Sequence, residues 1–136
     1  MIARRQWTSP TVLAYASFAL AIGAILRYPG GTPLTRDTLR YSLTQNFLSD
    51  LGMTAAWNGQ PNRLGAALFV SSLLILIIGL GSALAKVIRR YASFPPARRW
   101  ARFAGGFGLL ASVAFAGVAM TPENRVMNLH VSFTIW

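Results

Sequence analysis

The chain has 136 residues, of which 54% are hydrophobic and only 12% are charged, and its mean hydropathy is +0.45. A soluble domain carries roughly a quarter charged residues, so this composition excludes an ordinary water-soluble globular protein and indicates a membrane protein. The formal net charge is +10, but the basic residues lie beside apolar stretches and follow no nucleic-acid-binding motif, which argues against nucleic acid as a partner.

The first apolar stretch runs from Gln6 to Leu26 without a charged residue and is bounded by Arg5 and Arg27. About 20 residues of helix cover the roughly 30 Å hydrocarbon core of a bilayer, so we predict a transmembrane span at about 8–27. A cleaved signal peptide is the alternative for this stretch. The Tyr-Pro-Gly-Gly sequence that follows is not a small-residue cleavage site, which favours the span.

Residues 28–63 form the longest connection, and their apolar side chains recur at helical spacing. The apolar positions are Leu39, Leu43, Phe47, Leu48 and Leu51, and another face carries Ser42, Asn46, Ser49 and Asp50. This pattern predicts an amphipathic helix from about Asp37 to Leu51, lying on the membrane interface or over the bundle. Asp37 is a suitable N-cap residue, and Gly52 is suitable for the position just after the helix.

Two further uncharged stretches predict spans at about 64–86 and 102–121, joined by a basic loop at 87–101. Single strands are excluded, because each would leave backbone groups unpaired in lipid. The loop mixes arginine with aromatic residues, which is typical of anionic headgroup contacts and is also an ordinary topology signal. Small residues recur in the third span at Ala104, Gly108, Ser112 and Ala116 and permit close helix packing.

A fourth apolar stretch, Val126 to Trp136, is too short to cross a bilayer, because eleven helical residues extend only about 16 Å. We predict a partial fourth span at 126–136, cut short by the end of the sequence. A segment that enters the membrane and stays there is the alternative. The expected fold is therefore an all-α polytopic transmembrane bundle in a single domain, 1–136, with three full spans and part of a fourth.

The basic residues predict the orientation of this bundle. Arg4 and Arg5 lie on the same side as the six basic residues between the second and third spans. The other side carries five basic residues and all three acids: Asp37, Asp50 and Glu123. The positive-inside rule therefore predicts a multi-pass cell membrane protein with a cytoplasmic N-terminus and loop 87–101, and with segment 28–63 outside.

The polar residues best suited to ligand binding or catalysis lie on the predicted outer side. Those expected to bind a ligand are Asn46, Ser49, Asp50, Glu123, Asn124 and His130. His130 is the single histidine, and an ionisable residue inside a span usually faces the bundle or a wet cavity. Three interpretations stay open: a structural network, binding of a lipid headgroup or small polar ligand, and lipid hydrolysis or transfer by His130 with Asp50.

No motif decides whether the protein is an enzyme. There is no phosphate-binding loop, dinucleotide fingerprint, zinc-protease helix or nucleophile elbow. One histidine and no cysteine predict no metal site, and the sequence indicates no cofactor. No internal repeat argues for transporter symmetry, and a transporter fragment is kept as a last alternative. The predicted partners are the lipid bilayer and its headgroups, and nothing in the sequence supports a homo-oligomer.

The segment Gln45–Gly52, QNFLSDLG, resembles the "N-x-hydrophobic-Ser-Asp-Leu-Gly" signature of the domain of unknown function 998 family. The order of elements is also similar: a span opening at Asn62-Arg63-Leu64, a basic loop, then Pro122-Glu123 and Leu129-His130. Asp is the more usual residue after that proline in the family. The resemblance implies a bacterial-type inner membrane protein of about six spans, of which this chain would hold the first three and part of the fourth. It singles out Asn46, Ser49, Asp50, Pro122 and His130 and implies no activity.

Overall fold

The computed structural model describes residues 8–135, and this part of the chain is all-helical, without a strand. Its α-helices are α1 (Thr8–Arg27), α2 (Arg63–Arg90), α3 (Pro95–Met120) and α4 (Glu123–Thr134), with a short 3-10 helix at Leu48–Gly52. The predicted all-α fold class is therefore confirmed. Four positions used in the sequence predictions lie outside the described residues: Arg4, Arg5, Gln6 and Trp136.

Three of these helices are long and apolar enough to cross a membrane: Ser9–Arg27, Arg63–Arg90 and Pro95–Met120. Large apolar side chains cover their outer surfaces, and Tyr15 on α1 is 74% exposed and Phe107 on α3 is 70% exposed. Apolar surface that is continuous around a bundle is unfavourable in water and favourable against lipid chains. The fold is thus compatible with a multi-pass membrane protein in a bilayer.

Helix α2 packs against both of its long neighbours. Ser17 Oγ donates a hydrogen bond to the Ser72 carbonyl, 2.8 Å away, and Leu13, one turn earlier in α1, lies against Gly79, further along α2. These two contacts show that α2 runs antiparallel to α1. On the opposite side, Gly108 of α3 packs so closely on Leu84 that a Cβ would overlap that side chain. Small residues therefore bring the helices together, as the sequence pattern predicts for Gly108.

The predicted amphipathic helix at 37–51 is wrong. Residues 37–47 form turns and irregular structure, and only Leu48–Gly52 is helical, as a 3-10 turn. Local side-chain hydrogen bonds compete with the helix here, since Asn46 Oδ1 accepts from the Ser42 amide and Asp50 Oδ2 from the Phe47 amide. Four of the five apolar residues consequently stay exposed, with Leu39 86% accessible, whereas Leu51 is fully buried.

Two other boundaries differ from the sequence predictions. Most of the predicted loop 87–101 is helical, because α2 continues to Arg90 and α3 already begins at Pro95. Arginine is a good helix former, and proline suits the first turn of a helix, where its missing N–H is not needed. The predicted partial span 126–136 begins earlier, at Glu123 of α4, and the backbone departs from helical geometry at Val126.

Candidate functional site at the 28–62 end

Residues 28–62 connect α1 to α2, at the same end of the bundle as the α3–α4 junction. The chain turns sharply after α1 at Gly30 and Gly31, which have φ values of +123° and +80°. A Cβ at Gly30 would overlap the Thr38 carbonyl, so both positive φ and close backbone approach require glycine. The Gly31 amide donates to the Thr38 carbonyl over 2.8 Å, which folds residues 31–38 into a closed loop.

Asn46 and Asp50 form the centre of the folded connection. Asn46 Nδ2 donates to Asp50 Oδ2 over 2.8 Å and to the Gly31 carbonyl over 3.1 Å. The same Asp50 oxygen accepts from the Phe47 amide over 3.0 Å, while Asp50 itself is completely buried. The bond between Asn46 and Asp50, four residues apart, therefore stabilises a turn. The bond from Asn46 to the Gly31 carbonyl joins that turn to the beginning of the connection.

Two residues of the connection, Ser49 and Thr54, attach it to α4. Ser49 Oγ donates to Glu123 Oε2 over 2.7 Å. The Thr54 amide donates to Asn124 Oδ1 over 3.1 Å, and Thr54 Oγ1 accepts from Asn124 Nδ2 and from Arg125 Nε. Three of the residues proposed from the sequence, Ser49, Glu123 and Asn124, therefore take part in these contacts. They bring together parts of the chain that are about 70 residues apart in sequence.

Asn62 is a central residue of this region that the sequence patterns did not identify as a site residue. It precedes α2 at the N-cap position, where asparagine normally binds the helix's own first amides. Here its side chain points into the connection instead, and Nδ2 donates to the Leu51 and Met53 carbonyls, each over 3.0 Å. Asparagine before an apolar run is a recognisable signal, but it predicts a cap and not this tertiary role.

His130 lies on α4 and is 4% exposed. Its Nδ1 is 2.5 Å from the Thr121 carbonyl oxygen, at the end of α3. A carbonyl can only accept, so Nδ1 carries the proton and Nε2 of the neutral ring has the free lone pair. The Thr121 hydroxyl in turn donates to the Gly117 carbonyl over 2.6 Å.

Within residues 8–135, five buried polar atoms at this end have no hydrogen-bond partner: the acceptors Asp50 Oδ1, Asn62 Oδ1 and His130 Nε2, the Thr38 hydroxyl and the Trp57 indole N–H. No hydrogen bond joins Asp50 to His130 within residues 8–135: Asp50 Oδ2 accepts from Asn46, and His130 Nδ1 bonds the Thr121 carbonyl. The orienting group of His130 is therefore a backbone carbonyl, whereas the catalytic interpretation of the sequence assigned that role to Asp50. Ser49 is likewise bonded to Glu123 and not to the histidine.

Two tyrosines lie near the buried carboxyl group of Asp50. Burial raises the pKa of Tyr28 to about 12; the amide of Trp57, hydrogen-bonded to the phenol oxygen, opposes this rise, and the nearby Asp50 and Glu123 add to it. Burial also raises the pKa of Tyr41, again with a contribution from Asp50. The tyrosine rings pack edge to face at 5.6 Å and form an apolar wall beside the acid.

Comparisons with known proteins give no relative: neither the family models, nor the curated proteins, nor the solved structures contain a match to this chain.

Proposed function

We propose that the chain is a multi-pass membrane protein that binds a primary ammonium group at the 28–62 end, from a lipid headgroup or a small amine. One observation carries this proposal: Asp50 Oδ1 and His130 Nε2 are both buried acceptors without partners. Leaving such an atom unpaired costs about 1–3 kcal/mol. A ligand that donates hydrogen bonds to these atoms would remove that cost.

An ammonium group fits these atoms better than other donors do. Asp50 Oδ2 already accepts from Asn46 and Phe47, so Oδ1 is the remaining place for a donor on this carboxyl group. A primary ammonium offers three N–H donors together with a positive charge. A quaternary ammonium such as choline carries the charge without any N–H. The proposed site therefore selects ethanolamine-type groups over choline-type groups.

The proposed location of this site is the outer face of a cell membrane. All three acids of the sequence lie in the 28–62 connection or at the start of α4, whereas the α2–α3 junction is surrounded by arginine. The positive-inside rule then assigns the α2–α3 junction to the cytoplasm. Outer-leaflet lipids and external amines would have access to the 28–62 end.

The test is native mass spectrometry of the full chain in detergent, titrated with phosphatidylethanolamine or phosphatidylcholine of matched acyl chains. We expect preferential binding of phosphatidylethanolamine, and Asp50→Asn should weaken it roughly tenfold or more, as expected for a hydrogen bond to a charged group. Asn can keep the acceptor for Asn46 and Phe47. Asp37→Asn, which removes an exposed acid of the same connection, is the matched control.

A second variant tests the histidine separately. His130→Asn retains a donor in the position of Nδ1 for the Thr121 carbonyl and deletes Nε2. We expect it to weaken phosphatidylethanolamine binding without loss of helicity. If free ethanolamine competes with the lipid, the ligand is a small amine. If free ethanolamine does not compete, the ligand is a lipid. Equal binding of the two lipids, or unchanged binding by Asp50→Asn, contradicts the proposal.

The second candidate function is a membrane-embedded lipid hydrolase or transferase with His130 as general base. The observation that favours it is the tautomer, because a carbonyl-bound Nδ1–H leaves Nε2 free to accept a proton. Turnover of a fluorescent phospholipid by the wild type that disappears in His130→Asn would support it. Lipid that is bound and returned unchanged would support the binding function alone.

We also propose that the chain belongs to the domain of unknown function 998 family. The contact between Asn46 and Asp50 supports this, since it gives the spacing of the signature a physical purpose in the turn that ends at Gly52. Ser49, between them, reaches Glu123 in the Pro-acid element that the resemblance also includes. A complete gene that encodes further apolar spans after residue 136 is the observation that tests this assignment.

A further inference from the structure

A groove on α3, at the opposite end of the bundle from the candidate site, combines arginine with apolar side chains. It is an open depression of about 730 Å³ along the exposed face of this helix. The arginines Arg98, Arg99 and Arg102 line one part, and the apolar part includes Phe103, Phe107 and Leu110. The groove is thus basic near the Tyr91–Phe94 connection and apolar further along the helix.

The dimensions of this groove match one leaflet of a bilayer. Arg99 and Leu110 are eleven residues apart, which is about 16 Å along a helix, and half of the hydrocarbon core is about 15 Å. Gly106 lies between them in the lining, and a Cβ placed there would meet nothing within 4 Å. The notch at Gly106 is therefore free space beside the helix that no described side chain fills.

Within residues 8–135, the arginines of the groove have no acidic partner. All three acids of the sequence are in the 28–62 connection or at the start of α4. Arg99 lies over the Phe103 ring, with its guanidinium carbon 5.7 Å from the ring centroid, which orients the group beside the groove. Guanidinium groups bind phosphate through two parallel hydrogen bonds, so the unmet charge favours a phosphate-bearing ligand.

We propose that this groove binds a phospholipid with an anionic headgroup, such as phosphatidylglycerol. The headgroup phosphate lies at Arg98, Arg99 and Arg102, and one acyl chain follows Phe103, Gly106 and Leu110. An anionic lipid is a better occupant of the groove than a second copy of the chain, because a two-fold contact here would bring like-charged arginines together. The proposal is independent of the ammonium site at the other end of the bundle.

The test is native mass spectrometry of the full chain in detergent, titrated with phosphatidylglycerol and with phosphatidylcholine. Arg98→Gln with Arg99→Gln is compared with Arg89→Gln and Arg90→Gln, a matched pair that is exposed at the same end and outside the groove lining. We expect the groove pair to weaken phosphatidylglycerol binding roughly tenfold and the control pair less than about threefold. Equal losses would mean diffuse attraction to a basic surface and would overturn the proposal.

A second variant changes the shape of the groove and leaves its charge intact. Gly106→Leu fills the notch without meeting another part of the described chain, so the fold should persist, as circular dichroism can verify. We expect weaker phosphatidylglycerol binding from this variant. Unchanged affinity would overturn the proposal, as would a protein dimer that excludes lipid and dissociates on the same substitution.

Discussion

Ser49 Oγ donates a 2.7 Å hydrogen bond to Glu123 Oε2 and so joins the α1–α2 connection to the first turn of α4. The two residues are 74 positions apart, and Ser49 directly precedes the fully buried Asp50. Because the carboxylate is charged, this bond is stronger than one between neutral groups. It therefore holds the 28–62 connection against α4 in its observed arrangement.

The first prediction concerns the energy of this contact. Ser49→Ala and Glu123→Ala should each lower the free energy of unfolding in detergent by about 1 kcal/mol, since both side chains are only half-buried. The double variant should lose less than the sum, with a coupling energy of about 0.5–1 kcal/mol. Asp37→Ala is the control for removing an acid. Strict additivity in denaturant titrations would mean that the bond contributes nothing.

The apolar spans were predictable because lipid imposes a simple requirement on sequence. A span at 8–27 was predicted, and α1 runs from Thr8 to Arg27. The prediction succeeds because charged residues are unfavourable in hydrocarbon, so a long uncharged stretch indicates a span. The helical part of loop 87–101 was missed for the opposite reason. Charged residues outside the membrane core can continue a helix, so charge marks the end of the apolar region and not the end of α2.

The sequence indicated which residues of the candidate site share one end of the bundle, but it did not predict their partners, and it missed Asn62. Asn46, Ser49, Asp50, Glu123, Asn124 and His130 were expected at one end, and alternating spans do bring their segments there. Their partners depend on tertiary contacts that periodicity does not encode. The four-residue repeat from Leu39 to Leu51 favoured a helix, whereas Asn46 and Asp50 used their side chains to bind backbone amides and formed a turn.

Gly65 provides a second prediction, because it makes room for Asn62. A Cβ at Gly65 would overlap Asn62 Oδ1, and Asn62 holds the Leu51 and Met53 carbonyls. Gly65→Ala should therefore lower the free energy of unfolding by about 1–3 kcal/mol. Gly81→Ala in the same helix meets nothing within 4 Å and should be neutral or stabilising by up to about 1 kcal/mol. Equal unfolding midpoints for the two variants would disprove the role of Gly65.

The tautomer of His130 can be observed directly, since it is the single histidine of the chain. The Thr121 carbonyl accepts the Nδ1 proton, so the neutral ring should carry hydrogen on Nδ1 and a lone pair on Nε2. Nitrogen-15 NMR of imidazole-labelled protein in detergent distinguishes the two ring nitrogens. A spectrum in which Nε2 carries the proton would contradict the geometry and remove the free acceptor from the proposed site.

Tyr28 predicts a loss of stability at high pH. Its pKa is raised by burial from 10.0 to about 12, so the unfolded chain releases the phenol proton first as pH increases. Stability from the neutral phenol is full below pH 10.0 and is lost between there and about pH 12, by about 2–3 kcal/mol. Tyr28→Phe should flatten this part of the stability profile, and Tyr15→Phe on the exposed face of α1 should not. Parallel profiles for wild type and Tyr28→Phe would refute the prediction.

The proposed topology can be tested by labelling, because the chain contains no cysteine that would react in the background. Gln60 and Ser93 are exposed residues in the two connections, on opposite ends of α2. A membrane-impermeant maleimide should label Gln60→Cys in intact cells and Ser93→Cys only after permeabilisation, because the arginine-rich α2–α3 end is expected in the cytoplasm. The reverse pattern would place the ammonium site inside the cell. Labelling of both in intact cells would show that α2 does not cross the membrane, and the bilayer-based proposals for both ends would then fail together.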